Sequence, residues 1–356
     1  MQAKKPIILV ATAGGGIQAG AWTAEVLSGL EDLSINAWKT KSSFANSLTL
    51  VSSVSGGATG SMYFLNLYRP DAAANFEDQE IAKMKGDVKE SSLNDVAWAL
   101  VYRDLTRVFF PLLNSSSDNR FVDRGYALEE TWSNRGGIHA NLSNWREGVK
   151  EGNRPAVIFN STISETGEPL LLSTTDLAEQ TKPPRRMSFY SLYHNTDVPV
   201  VTAVRLAATF PYVTPAARKD STKPEYHMID GGYYDNPGVA SLVEWLDEGL
   251  AEIVNRKEEL PDHILVIQIR SFPDDQREPE PQNRGWFFQI FAPIKGLLSV
   301  RTTGQLVRDH DELSKLARLW SSSPGTEQGS LQDRIRFATF TFNGNDAPLS
   351  WAMNES

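Results

Sequence analysis

Apolar residues along this chain gather in short runs with little polar alternation, and between the runs they recur every three or four positions. The runs lie at residues 7–13, 48–54, 156–163, 170–173, 227–230, 264–269 and 337–342, and are rich in Val, Ile, Leu, Thr and Phe. Such runs predict strands covered on both faces. Between them, residues 17–33 place Ala21, Ala24, Leu27, Leu30 and Leu33 near one helical face, and residues 58–68 read as a further helix. Residues 239–256 repeat the pattern with Leu242, Trp245, Leu246, Leu250 and Ile253. Strands alternating with helices predict an α/β fold with a mainly parallel sheet wrapped by helices. Residues 70–153 break the rhythm: they are polar, show no convincing strand, and predict a mostly helical insertion or cap within a single domain spanning 1–356. Pro-rich stretches at 181–186 and 272–283 read as exposed loops.

Charge and composition narrow the partners. The 356 residues carry 35 Lys and Arg against 44 Asp and Glu, a net charge of −9. Without a basic stripe, nucleic acid is not expected as a partner. The chain has no cysteine, which removes disulfides, thiolate chemistry and cysteine zinc sites and fits a reducing, cytoplasmic location. The basic start at residues 1–6 leads into an apolar stretch too short for a secretory signal. No run of about 18 uncharged apolar residues exists, so no spanning helix is expected. Two segments come nearest to membrane-seeking: 96–113 with Trp98, Phe109 and Phe110, and 285–300 with Trp286, Phe287 and Phe291. Each reads either as a core-facing helix or as a peripheral membrane contact.

Three short motifs carry candidate chemistry. Ser53-Val54-Ser55-Gly56-Gly57 joins a strand to a helix, the setting in which a serine is held exposed on a tight turn as a nucleophile. The same segment also reads as a serine cap before a glycine-rich helix start. Gly14-Gly15-Gly16 follows the first strand and can aim several backbone N–H groups at one point, which suits an oxyanion. It suits a pyrophosphate too, since Gly14-x-Gly16-x-x-Ala19 meets the loose dinucleotide fingerprint. That second use wants an acid at the end of the next strand, and Glu31 and Asp32 fall in the helix instead. Asp230, in Ile229-Asp230-Gly231-Gly232, projects past a strand end as a candidate base, or caps its own turn. None of His139, His194, His227, His263 and His310 stands where a Ser–His–Asp enzyme of the α/β-hydrolase kind places its base, and no two have the spacing of helical metal ligands.

In chain order, Gly14-Gly15-Gly16-Ile17, Ser53-Val54-Ser55-Gly56-Gly57 and Asp230-Gly231-Gly232 resemble the patatin-like phospholipase family. The stretch Arg205-Leu206-Ala207-Ala208-Thr209-Phe210-Pro211-Tyr212 is similar to the family's small-residue segment before its aspartate, and the likeness spans about residues 7–238. The resemblance implies a three-layer α/β sandwich and a Ser–Asp dyad, with Ser55 as nucleophile and Asp230 as base. It implies an oxyanion hole from Gly14, Gly15 and Gly16, with Gly56 added, and hydrolysis of lipid acyl esters, of phospholipase A or lysophospholipase type, without metal or cofactor. Gln18 stands where members usually carry Arg or Lys, and Ser53 where the elbow's first glycine stands. A catalytically silent lipid- or protein-binding module on the same fold is the alternative.

Overall fold

Each long apolar run becomes a strand in a computed structural model, which describes residues 6–37, 43–109, 123–177, 186–193, 196–209, 217–218, 226–271, 315 and 334–342. The strands are β1 (Ile7–Thr12), β2 (Leu48–Val54), β3 (Ala156–Ile163), β4 (Pro169–Ser173), β5 (Met187–Ser188), β6 (Ala217–Arg218), β7 (His227–Asp230), β8 (Ile264–Arg270) and β9 (Ile335–Thr341). Two of them, β5 and β6, are two-residue pairings that no apolar run announces. The helices are α1 (Gly16–Asp32), α2 (Phe44–Ser47), α3 (Ser55–Leu65), α4 (Asp78–Lys89), α5 (Leu93–Ala99), α6 (Thr106–Phe109), α7 (Arg124–Gly136), α8 (Leu142–Lys150), α9 (Phe189–Leu192), α10 (Val200–Ala207) and α11 (Val239–Asn255).

The sheet runs β5-β4-β3-β2-β1-β8-β9, and β3, β2, β1, β8 and β9 are mutually parallel. β4 and β7 both run antiparallel to β3. Successive β1 side chains go to opposite faces, as the pleat requires. Ile8 and Val10 join a core with Leu27 of α1, Met62 of α3, Val88 of α4, Trp132 of α7, Leu142 of α8 and Val204 of α10. Leu9 and Ala11 join a smaller core with Leu242, Leu246 and Leu250 of α11. Helices therefore cover both faces of the central strands, whereas β9, also expected to be covered, has residues 336, 337 and 339 exposed because it lies at the sheet's edge.

Beside β3, β2 is registered as far as Val54 opposite Asn160. From Ser161 to Ile163 the partner on that edge is β7, because β4 occupies the other edge as far as Thr162. Thus β2 arrives from one direction and β7 from the other. They meet end to end, Val54 opposite Asn160 and Asp230 opposite Ser161.

The helix after β2 begins at Ser55 itself, three residues before the start expected from the sequence, because Gly56 and Gly57 are helical. It crosses α1 at backbone contact. A Cβ on Gly56 would lie 1.9 Å from the Gly16 carbonyl oxygen, and one on Gly60 would lie 2.3 Å from that of Gly20. Glycines four apart on both helices let the two backbones touch along one stripe.

Residues 70–153 contribute α4 to α8 among the described residues, and their ends are tied together. Arg154 donates to the carbonyls of Leu65 and Tyr68 at 3.1 and 3.0 Å, and Asn153 donates to that of Pro70 at 2.7 Å. Within this stretch, a π-helical segment, Leu100–Leu105, joins α5 to α6. Val96 and Ala99 face inward, but Trp98, Val101, Tyr102, Leu105 and Phe109 are exposed. The helix is thus core-facing on one side and bare on the other. No helix of the described residues is long and apolar enough to cross a membrane. The aromatic segment 285–300, together with Phe110, the loop 272–283 and most of the loop at 181–186, lies outside the described residues.

The helix crossing generates a test. Gly60→Ala puts a methyl group against the Gly20 carbonyl and should destabilise the fold by about 1–3 kcal/mol. Gly29→Ala, where nothing lies within 4 Å of the added carbon, should not destabilise it. Urea unfolding of the two variants measures the contrast.

Candidate active site

β2 passes into α3 without a loop, so the chain reverses at one residue. That residue is Ser55, with φ of 51°. Side chains in this left-handed region crowd the backbone at a cost of about 1–2 kcal/mol. The cap position is Val54 and Ser55 is the first helical residue, so the reading of Ser55 as an ordinary N-cap fails. The site's other walls are close: a Cβ on Gly14 would lie 3.0 Å from Ser55 Cβ and 2.5 Å from the side-chain oxygen of Asn236.

Asp230 ends β7, and its amide donates to the Thr209 carbonyl at 3.0 Å. The residue is only 4% exposed. One carboxylate oxygen, Oδ1, accepts from the Gly232 amide at 2.7 Å, so the turn-capping role is real. The other, Oδ2, is buried without a hydrogen-bond partner. Burial raises the pKa from 3.8 to about 6, against the opposing pull of the Ser55 hydroxyl and the Gly232 amide on the ionised form. The hydroxyl therefore lies near enough to favour the carboxylate but does not close an ordinary hydrogen bond to Oδ2. Such contacts are often loose before substrate arrives.

The four amides expected to cradle an oxyanion are not equivalent. Gly14 donates its N–H to the Asn236 carbonyl at 3.1 Å, so that donor is already engaged. Gly15 and Gly16 adopt φ of 151° and 65°, which turn the chain from β1 into α1. Gly56 is the second residue of α3 and lies against Gly16. Two helix N-termini therefore come together beside Ser55, and the first amides of a helix have no acceptor within it. The combined positive ends of α1 and α3 favour negative charge at this point.

The acids of the dinucleotide reading are placed elsewhere: Glu31 accepts from the Ala45 amide at 2.6 Å and Asp32 accepts from Asn36. Gln18 is buried and donates to the Ser271 carbonyl at 3.2 Å. A tied, neutral side chain thus stands beside the glycine turn. His227 pairs with Glu165 at the opposite end of β7 from Asp230, and His139 bonds Ser133 in α7. Residues 194, 210–212 and 310 lie outside the described residues. Among the described residues no three His, Asp or Glu side chains are grouped to hold a metal ion.

Two further residues, Asn236 and Asn160, bear on the site. Asn236 reaches Gly14 with both its carbonyl and its side chain, and nothing in the order Tyr233-Tyr234-Asp235-Asn236-Pro237-Gly238 signals that contact. Asn160 does carry a sequence signal, an amide inside the fully covered run 156–163.

A family model described as patatin-like phospholipase matches residues 10–243. Among solved structures, the chain is similar to human GIVD cytosolic phospholipase A2 at 12% identity, covering 74% of this chain and 45% of that one, with a TM-score of 0.42. A structure of the same human enzyme in complex with methyl gamma-linolenyl fluorophosphonate matches at 18% identity over 48% of this chain and 23% of that one, TM-score 0.32. VipD from Legionella pneumophila matches at 11% identity over 78% of this chain and 52% of that one, TM-score 0.31. The chain spans about half, or less, of the length of these solved structures. No curated protein matches it. The matched span runs from β1 through Ser55 and Asp230 into α11, and on that match the chain belongs to the patatin-like phospholipase family, a family of lipid hydrolases.

Proposed function

We propose that the protein hydrolyses carboxylic esters of lipids, as a phospholipase A or lysophospholipase, through an acyl-enzyme on Ser55. The observation that carries this reading is a left-handed serine at a helix N-terminus beside a buried carboxyl whose pKa stands near 6. A carboxyl near 6 is a better proton acceptor than an ordinary aspartate, and above pH 6 most of it is ionised and ready.

Asp230 takes the proton of the Ser55 hydroxyl as Oγ attacks the acyl carbonyl carbon. The carbonyl oxygen becomes an oxyanion, received by the amides of Gly15, Gly16 and Gly56 and by the positive ends of α1 and α3. Gly14 contributes indirectly, holding the glycine turn to the base loop through Asn236. Collapse of the tetrahedral intermediate expels the alcohol, which takes the proton from Asp230. Water then attacks the acyl-enzyme, gives its proton to Asp230, and releases the fatty acid as Ser55 recovers the proton.

The substrate class also supplies an occupant for the bare face of α5 to α6, which we assign to a zwitterionic phospholipid surface. Trp98, Tyr102 and Phe109 are 54%, 60% and 70% exposed. Their rings are apolar bodies, and those of Trp and Tyr end in a polar tip, the type that settles at the level of lipid headgroups. The net charge of −9 disfavours an anionic surface, so contact rests on these rings.

Four outcomes test the reading. Ser55→Ala and Asp230→Asn should each lower esterase turnover by about 10⁴-fold or more while leaving the circular dichroism spectrum unchanged. A fluorophosphonate probe should mark Ser55 and neither Ser52 nor Ser53, as read by peptide mass spectrometry; labelling that survives Ser55→Ala overturns the nucleophile. The carboxyl holds its proton more tightly folded than unfolded, so between pH 3.8 and about 6 the folded state binds more protons and loses stability as pH rises. Asp230→Asn should accordingly be more stable than wild type by about 3 kcal/mol at pH 8, with the gain vanishing near pH 4, and the acid limb of kcat/KM should fall near pH 6. Finally, wild type should float with phosphatidylcholine liposomes and the triple variant Trp98→Ala, Tyr102→Ala, Phe109→Ala should not; equal flotation removes the assignment of that face.

A further inference from the structure

The geometry points to Asn160 as a positioning residue that aligns the nucleophile and the base by bonding the two chain segments that carry them, an inference that rests on the Ser–Asp reading above. Asn160 sits on β3 opposite Val54, the residue before Ser55. Its neighbour, Ser161, sits opposite Asp230. One position of β3 therefore separates the end of the nucleophile strand from the end of the base strand, and Asn160 is at the seam.

Every polar atom of its side chain is used across that seam. Nδ2 donates to the Ser52 hydroxyl at 3.0 Å and to the Ser53 carbonyl at 3.1 Å, which fastens the last residues before the turn. The Ser52 hydroxyl in turn donates to the Gly238 carbonyl at 2.6 Å, where the base loop ends. Oδ1 accepts from the Ser241 hydroxyl of α11 at 2.6 Å. The backbone carbonyl of Asn160 meets the start of the same loop: a Cβ on Gly231 would lie 2.1 Å from it. The directions are consistent throughout, with Ser241 donating to Asn160, Asn160 to Ser52 and Ser53, and Ser52 to Gly238. Asn160 is 4% exposed and Ser52, Ser53 and Ser241 are fully buried, so water does not replace a missing partner.

The need for such a clamp follows from Ser55. A left-handed serine relaxes toward ordinary helical or extended backbone unless its flanks are held. The preceding flank is held by Asn160 directly, the far end of the segment from Gly231 to Gly238 is tied to the same carboxamide through Ser52, and its near end packs closely on the Asn160 backbone. A carboxamide is required because two donors and one acceptor must face three different groups. Aspartate has the shape but supplies no donor pair, and would set an oxygen against the Ser53 carbonyl.

The test compares purified Asn160→Asp and Ser241→Ala with wild type on a short-chain nitrophenyl ester and on a fluorophosphonate probe. Asn160→Asp should lower kcat and the rate of Ser55 labelling together by about 100-fold, with KM changed less than about threefold, as a misaligned but folded site demands. Ser241→Ala leaves the Ser52 and Ser53 bonds in place and removes only the support behind them, so kcat should fall by about threefold to tenfold at constant KM. If Asn160→Asp does not fold, Ser241→Ala alone decides, and an unchanged kcat in it overturns the clamp. Asn160→Asp turning over and labelling as fast as wild type overturns it as well. A wild type that neither turns over nor labels defeats the dyad and the clamp together, whereas an active wild type beside indifferent variants defeats the clamp alone.

Discussion

The end-to-end meeting of β2 and β7 along one edge of β3 is the constraint on which the site depends. Two strands cannot share one stretch of an edge, so the outgoing chain at Val54 must leave the sheet where the incoming chain at Asp230 arrives. The departure forces the reversal at Ser55, and the arrival stops Asp230 beside it. Hydrogen-bond register along β3 thus performs the alignment that a rigid loop would perform in another fold. The glycines at 56 and 231 are needed because both chains turn against backbone at this junction.

Burial of Asp230 is the second organising feature, and it makes the ionised carboxylate costly to the fold. An aspartate with one oxygen satisfied and the other unpartnered is a poor structural group, since the ionised form is held by the Gly232 amide and the Ser55 hydroxyl alone. A cation nearby would remove the penalty and the basicity with it. The remaining bonds of this region are spent on geometry. Thr209 holds the Asp230 amide, Gly14 holds Asn236, and Ser52 holds Gly238, so Asp230 and the segment after it are tied to three separate stretches of chain.

The sheet was legible because most of its strands are buried on both faces, β7 and β9 excepted, and expected and observed runs agree within two residues at each end for all seven. The tight turns at Ser55 and Asp230 were legible because each residue is followed by its own local signature, the glycines at 56–57 and 231–232. What could not be read was anything that depends on two distant segments touching. The engagement of Gly14 by Asn236 is one such contact, and the partnership of Asn160 with Ser52, Ser53 and Ser241 is another. The aromatic segment 96–113 was ambiguous for a similar reason. Its sequence contains both an inward and an outward face, and only the packing of Val96 and Ala99 shows that Trp98 and Tyr102 are left over.

The crossing of α1 and α3 carries a mechanical implication. Main chain rests on main chain there, at Gly16 against Gly56 and Gly20 against Gly60, with the Thr23 and Val88 side chains alongside. A joint made of backbone has few rotamers through which to yield, so the spacing of the two helix N-termini beside Ser55 is fixed by covalent geometry rather than by adjustable packing.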